Sequence, residues 1–433
     1  MKFVSPKQLE LTGLGLTFRA LKSRNYRLFF AGQGISLIGT WMTMTATIWL
    51  VYQLTDSALW LGVVGFANQI PNFILTPFAG VLVDRWNRHR TLVITQILAM
   101  IQSLALAALA LTGTITIWHL IFLSIFQGLI SGFDMPTRQA FVVEIVEKRE
   151  DLGNAIALNS SLFSGARLIG PAIAGLLIAA VGSGTCFLLD GLSYIPVIMA
   201  LLAMKIAPRK LVQPQTRENI WQKLTAGFRY AFGFPPIRSI LLLLALISFM
   251  GMPYTVLAPV FATKVLQGDS HTLGFLMAFS GLGSLIGGIY LSSRPSVLGL
   301  GKIIAVAPAL FGAGLIAFAL SKVLWLSLLA MLLVGFSLIL NVSSSNTILQ
   351  TIVEEDKRGR VMSFYTMAFI GMVTFGNLLA GSLASKIGAP ATLTIGGLFC
   401  ILGSIIFTKQ LPSIRRLIRP IYTKIGLIPE ASS

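Results

Sequence analysis

In a chain of 433 residues, 55% hydrophobic side chains and only 11% charged ones supply enough apolar residues for about twelve spanning helices of about 20 residues each. A soluble globule is excluded, because it would have to expose large contiguous apolar patches. An outer-membrane barrel is excluded because the apolar runs are continuous and do not alternate. The net charge of +18 then points to basic loops of a multi-pass membrane protein, with anionic lipid and not nucleic acid as the partner of basic runs such as Arg415–Arg416.

In chain order, the apolar runs predict twelve spans, at 28–54, 58–82, 91–112, 117–135, 155–181, 185–204, 239–263, 271–292, 303–320, 323–343, 362–385 and 390–408. Before the first, the basic N-terminal stretch lacks the apolar core of a cleavable signal peptide. Short connectors alternate with longer basic ones: 29 Lys and Arg fall on the side of the N- and C-termini, and Lys264, Lys322 and Lys386 on the other. The asymmetry predicts that both termini are cytoplasmic, and an even number of crossings agrees. The polar segment 205–238 reads as a linker ending in an amphipathic helix through Trp221, Leu224 and Phe228, of the kind that lies at the interface or against a bundle.

The chain also repeats itself. Ile145-Val-Glu recurs as Ile352-Val-Glu, Gly170-Pro-Ala-Ile-Ala-Gly175 is echoed by Gly376-Asn-Leu-Leu-Ala-Gly381, and Gly80 has a counterpart in Gly288, at offsets of 207, 206 and 208 residues. Two six-helix halves in parallel orientation are the organisation of a transporter. The expected division is 1–204, a linker 205–238, 239–410, and a basic tail 411–433.

Between spans 2 and 3 stands Gly80-Val-Leu-Val-Asp84-Arg85-Trp-Asn87-Arg88-His-Arg90. It resembles the loop signature of the major facilitator superfamily, G-x-L-x-D-R-x-G-R-K/R, with Asn87 at the last glycine. Asn is the next-best residue for a left-handed turn. The resemblance implies an all-α fold of twelve transmembrane helices in two six-helix pseudo-repeats. It also implies that Asp84, facing the start of span 11, latches the cytoplasmic side with Gly80, Arg85 and Arg88. Gly170 and Pro171 match the superfamily's antiporter motif, which is associated with export. The stretch from Asp134-Met-Pro-Thr-Arg138 to Asp190-Gly-Leu-Ser193-Tyr194 resembles the bacterial subfamily of siderophore exporters, secretion proteins and macrolide-efflux proteins. The resemblance therefore implies an inner-membrane secondary transporter exporting a siderophore-like or drug-like molecule by alternating access, with a proton gradient as the drive. A lysophospholipid or nutrient importer is the rival within transport; a membrane lipid enzyme or a transport-dead sensor is the rival outside it. In span 4, Ser124 replaces the arginine of the superfamily pattern R-x-x-Q-G, so no coupling through that position is implied.

Polar stripes mark where substrate is expected. Gln33, Ser36, Thr40, Thr43 and Thr47 share a face of span 1, and Ser124, Gln127, Ser131 and Asp134 share one of span 4. In the resembled fold, spans 1, 4, 7 and 10 line the central cavity. Span 10 adds Ser337, Asn341 and Ser344, and span 7 adds Ser248, Tyr254 and Thr255. Arg167 lies near the middle of span 5, where a charge is costly and implies a partner or water; Asp190 is the nearest candidate counter-ion, although a direct pair is left open. Substrate and coupling roles are accordingly expected of Gln33, Ser36, Thr40, Thr43, Ser124, Gln127, Asp134, Arg167, Asp190 and Asn341. No nucleotide-binding loop, nucleophile elbow or metal-ligand spacing is present, so no cofactor and no enzyme activity are expected. The expected partners are a small-molecule substrate, protons and lipid, and the expected unit is a monomer.

Overall fold

The computed structural model describes residues 19–204, 228–294, 296–424 and 426–428, without the side chains of 76–85, Arg149 and Asp356. Twelve of the helices it describes are long and apolar enough to cross a membrane. They are Arg24–Thr55, Ala58–Arg85, Arg88–Leu111, Ile117–Ile145, Leu152–Val181, Ser183–Leu202, Pro235–Val265, Ser270–Ser292, Leu300–Leu320, Leu324–Ile352, Lys357–Ile387 and Ala389–Lys424. Most predicted ends fall within a few residues. Spans 4 and 10 continue nine or ten residues further, to Ile145 and Ile352, and span 12 runs on to Lys424. Their polar last turns hydrogen-bond internally as any helix does, but they lack the apolar signal by which the spans were delimited.

Local chemistry sets the starts. Thr116 accepts from the His119 N–H, and the His119 ring returns a bond to the Thr116 N–H, a capping box that opens span 4. Asp269 accepts from His271 and Thr272 at the head of span 8. Asn87 departs from expectation. Its φ is −72°, and its side chain accepts the Arg90 N–H at 3.0 Å. It caps span 3 in extended backbone and makes no left-handed turn. Gly299, at the same place before span 9, does take the left-handed turn, with φ +90°.

Calling the face that holds Arg24 and Lys424 the terminal face, an even number of crossings puts both on one side. Within the halves, span 4 packs on span 2, span 6 on spans 1 and 3, span 10 on span 8, and span 12 on spans 7 and 9. The repeat is visible in the contacts. Gly128 packs on the Asn68 carbonyl just as Gly335 packs on the Ser280 carbonyl, and Gly170 meets Trp41 of span 1 as Gly376 meets Phe249 of span 7. Spans 4 and 10 are thus related by 207 residues and spans 5 and 11 by 206, as the sequence suggests. Spans 2 and 8 are related by 212 (Asn68 to Ser280), so the match of Gly80 with Gly288 is not the structural one; the connectors before these spans differ in length.

The halves meet through two matching seams, span 5 on span 8 and span 2 on span 11. In the first, a methyl group at Gly175 would lie 3.0 Å from the Gly274 Cα; in the second, one at Gly381 would lie 2.8 Å from the Gly62 Cα. Both crossings sit in the turns farthest from the terminal face. Backbones this close need the absent side chain.

Candidate functional site: a charged centre below a sealed face

On the face opposite the termini, a third contact joins the halves. Lys264 Nζ donates to Asp56 Oδ2 at 3.0 Å, and the Lys264 ammonium holds the Asp56 carboxyl below its usual range. Ser270 Oγ donates to the Gly175 carbonyl at 3.1 Å within the span 5–8 seam. That face is shut.

Further toward the terminal face, near the middle of span 5, lies Arg167. It is the sixteenth of the 30 residues of span 5, about 21 Å along the helix from the far end. A methyl group at Gly281 of span 8 would lie 2.8 Å from its carbonyl oxygen, so its backbone belongs to the seam. The side chain lies over the Trp41 ring of span 1, 5.7 Å from the centroid. Its Nη2 donates to the Tyr254 hydroxyl of span 7 at 3.4 Å, and Tyr254 shares a 2.9 Å bond with Ser280 Oγ of span 8. Span 7 is built for this. Its first helix stops at Met250, Pro253 brings no N–H to continue it, and a new helix starts at Tyr254. Trp41 of span 1 and Tyr254 of span 7 meet the guanidinium, and span 8 holds Tyr254 through Ser280.

Asp190 is not its partner. It is buried at 2% exposure and accepts from Ser103 Oγ of span 3 at 2.8 Å. A methyl group at Gly39 of span 1 would lie 2.6 Å from Asp190 Oδ1. Thr43 sits beside the same carboxyl, yet neither its Oγ1 nor Asp190 Oδ1 completes a hydrogen bond.

The remaining expected site residues divide. Asp134 turns toward span 3, accepting from Thr95 at 2.9 Å and Gln96 at 2.7 Å and pairing with Arg138 one turn on. Ser124 is buried in the span 2–4 contact, where Asn68 Nδ2 donates to its carbonyl at 3.5 Å. Gln33 and Ser36 are buried, whereas Thr40 is exposed with its hydroxyl on the Ser36 carbonyl. Gln127 is half-buried with an unpartnered Oε1, and Asn341 is buried with neither amide atom bonded. Gly170 and Pro171 lie in the span 5 packing surface, where Gly170 admits Trp41. Arg88 pairs with Glu144 at 2.8 Å, tying the start of span 3 to the end of span 4. Gly80 lies within span 2; the side chains of Asp84 and Arg85, and with them the Asp84 latch, lie outside the described residues. So does the linker as far as 227; beyond it, Phe228 and Phe232 stack at 4.3 Å and pack on Phe364 of span 11.

One polar surface was missed. Ser343, Asn346, Thr347, Gln350 and Thr351 form one face of span 10 and, with Arg358, line a groove of about 460 Å³ that opens at the terminal face. Their spacing of three and four residues was readable, but the predicted span ended at 343. Trp41 and Ser280 were missed too, because neither belongs to a polar stripe.

A family model described as transmembrane secretion effector matches residues 16–417. The chain belongs to that family, within the major facilitator superfamily. At 26% identity it is similar to the staphyloferrin A transporter of Staphylococcus aureus, over 88% of this chain and 95% of the relative. It is similar, also at 26%, to the multidrug efflux pump Tap of Mycolicibacterium fortuitum, over 88% and 93%. The enterobactin exporter EntS of Salmonella typhimurium matches at 25% over 90% and 93%. Among solved structures, a bacterial homologue of the lysosomal transporter Spinster, inward-facing and unoccupied, superposes with a TM-score of 0.65 at 14% identity, covering 94% of this chain and 99% of that one. A nucleoside transporter gives 0.68 at 13%, covering 90% and 99%. These two likenesses show the fold. The protein is a multi-pass inner-membrane transporter of small molecules, not an enzyme.

Proposed function

We propose that this transporter exports an organic small molecule, siderophore-like or drug-like, from the bacterial cytoplasm by alternating access, as a monomer with both termini cytoplasmic. One observation carries the reading: the halves are joined on the face opposite the termini, while the span 10 groove opens on the terminal face. With 29 basic residues on the terminal side, we read that face as the cytoplasmic one, so this arrangement is the one that faces the cell interior, and the exporter and efflux pump among the relatives support outward transport. The names of the curated relatives, two siderophore transporters and a drug pump, support the cargo class. We propose a proton gradient as the drive, with Asp190 as the carrier. It is an acid buried inside a span, with one oxygen free to change partners as Thr43 and Ser193 shift beside it, and such groups serve proton relays in membranes.

The test compares culture media of cells with and without the protein. Compounds enriched outside the expressing cells, and lost when the gradient is collapsed, are expected. Enrichment inside the expressing cells overturns the direction; enrichment outside that survives collapse of the gradient overturns the drive.

A further inference from the structure

Arg167 presents five N–H donors, of which one makes a long bond to a neutral hydroxyl, and among the described residues no carboxylate lies within ion-pair distance of it. A guanidinium at the middle of a span calls for an anion or water. The surroundings say which side that anion comes from. On the far side the seam closes, with Gly281 against the Arg167 carbonyl. Toward the terminal face, Ser164 and Ser160 continue the same face of span 5, half-exposed and exposed. Beside the guanidinium, Trp41 and Phe163 form an edge-to-face pair at 5.6 Å, and Phe163 is 46% exposed. A fork of donors, a phenol hydroxyl and an open aromatic wall are thus assembled in one place.

We propose that Arg167 binds the anionic group of the cargo, and that the cargo is an amphiphilic organic acid. Its oxyanion takes the guanidinium fork in place of the long bond to the fully buried Tyr254 hydroxyl, and its apolar body lies against Trp41 and Phe163. Because Tyr254 belongs to the other half, an anion that draws Arg167 away from it also removes a bond between the halves below the seal. Binding and opening then share one side chain.

This deepens the export reading but rests on it only for direction. The test is therefore binding to the purified full chain in lipid nanodiscs, read by isothermal titration with 2-naphthoate, its neutral amide 2-naphthamide, and citrate. Wild type is expected to bind 2-naphthoate at least tenfold more tightly than the amide. In Arg167→Gln the ratio is expected to fall to near one with amide binding retained; Arg167→Lys keeps the charge but not the planar fork and is expected to fall between. Citrate, an anion without the aromatic body, should bind more weakly than 2-naphthoate and lose its binding in Arg167→Gln. A ratio near one in wild type overturns the proposal, as does an unchanged ratio in Arg167→Gln. If Arg167→Gln does not fold, wild type against Arg167→Lys decides by the same ratio. Discrimination intact without export into the medium overturns the direction and leaves the site standing; export intact without discrimination overturns the site.

Discussion

Asp134 and Asn341 stand 207 residues apart at matching places in spans 4 and 10, and their surroundings have diverged. Asp134 is held by Thr95, Gln96 and Arg138. Asn341 is buried, and neither of its amide atoms is bonded. Opposite outcomes follow for substitution. Asp134→Ala leaves Arg138 without its partner in a largely buried setting and should cost about 3 kcal/mol, the lower end for a broken buried pair because Arg138 keeps some solvent. Asn341→Leu removes an orphaned amide, whose burial costs about 1–3 kcal/mol, and should leave thermal stability equal or higher while lowering transport. Melting in nanodiscs alongside a transport assay reads both. A destabilised Asn341→Leu would mean that the amide has a structural partner.

At the scale of the helix, the two seams behave as one gate if their pairing is functional. A branched side chain at Gly381 cannot fit against Ala58 and Gly62, and overpacking of this kind costs about 1–3 kcal/mol, roughly a five- to 150-fold shift away from the sealed arrangement. Ser270→Cys places a thiol in the other seam, at a position only 2% exposed. Adding Gly381→Val should raise its labelling from the sealed side, and unchanged labelling would show two independent contacts. The glycine motifs of spans 5 and 11 could be read from sequence because close backbone approach tolerates little else. The 212-residue relation of spans 2 and 8 could not, since it is carried by backbone carbonyls and not by residue identity. Asn87 was misread because Asn serves equally as a helix cap and in a left-handed turn, and only the backbone distinguishes the two.

For the molecule as a whole, twelve spans and their repeat were legible because lipid demands long apolar runs. The site was legible in its misplaced charge, Arg167, and in Tyr254 of the span 7 polar set. Its aromatic neighbours look like ordinary lipid-facing residues until the fold brings them together. The Asp56–Lys264 pair adds a pH dependence. Because Asp56 is lowered by Lys264, its contribution to closure is complete at neutral pH, above the ordinary carboxylate value near about 4, and is lost as the pH falls through the lowered value. Being exposed, the pair is weak. Acidifying that side below about pH 4 should slightly raise labelling of Ser270→Cys by 2,2′-dipyridyl disulfide, whose protonated form stays thiol-reactive in acid, and Asp56→Asn should remove the acid-dependent part. The interruptions of the helices are unevenly shared. Span 7 breaks at 251–253 and ends in a wider turn at Phe261–Val265, and span 11 carries another at Met367–Gly371, whereas their counterparts, spans 1 and 5, are continuous. Loosened turns of this kind bend where a regular helix resists. The two halves therefore share a fold while differing at these helices: spans 1 and 5 stay continuous, and spans 7 and 11 carry the loosened turns.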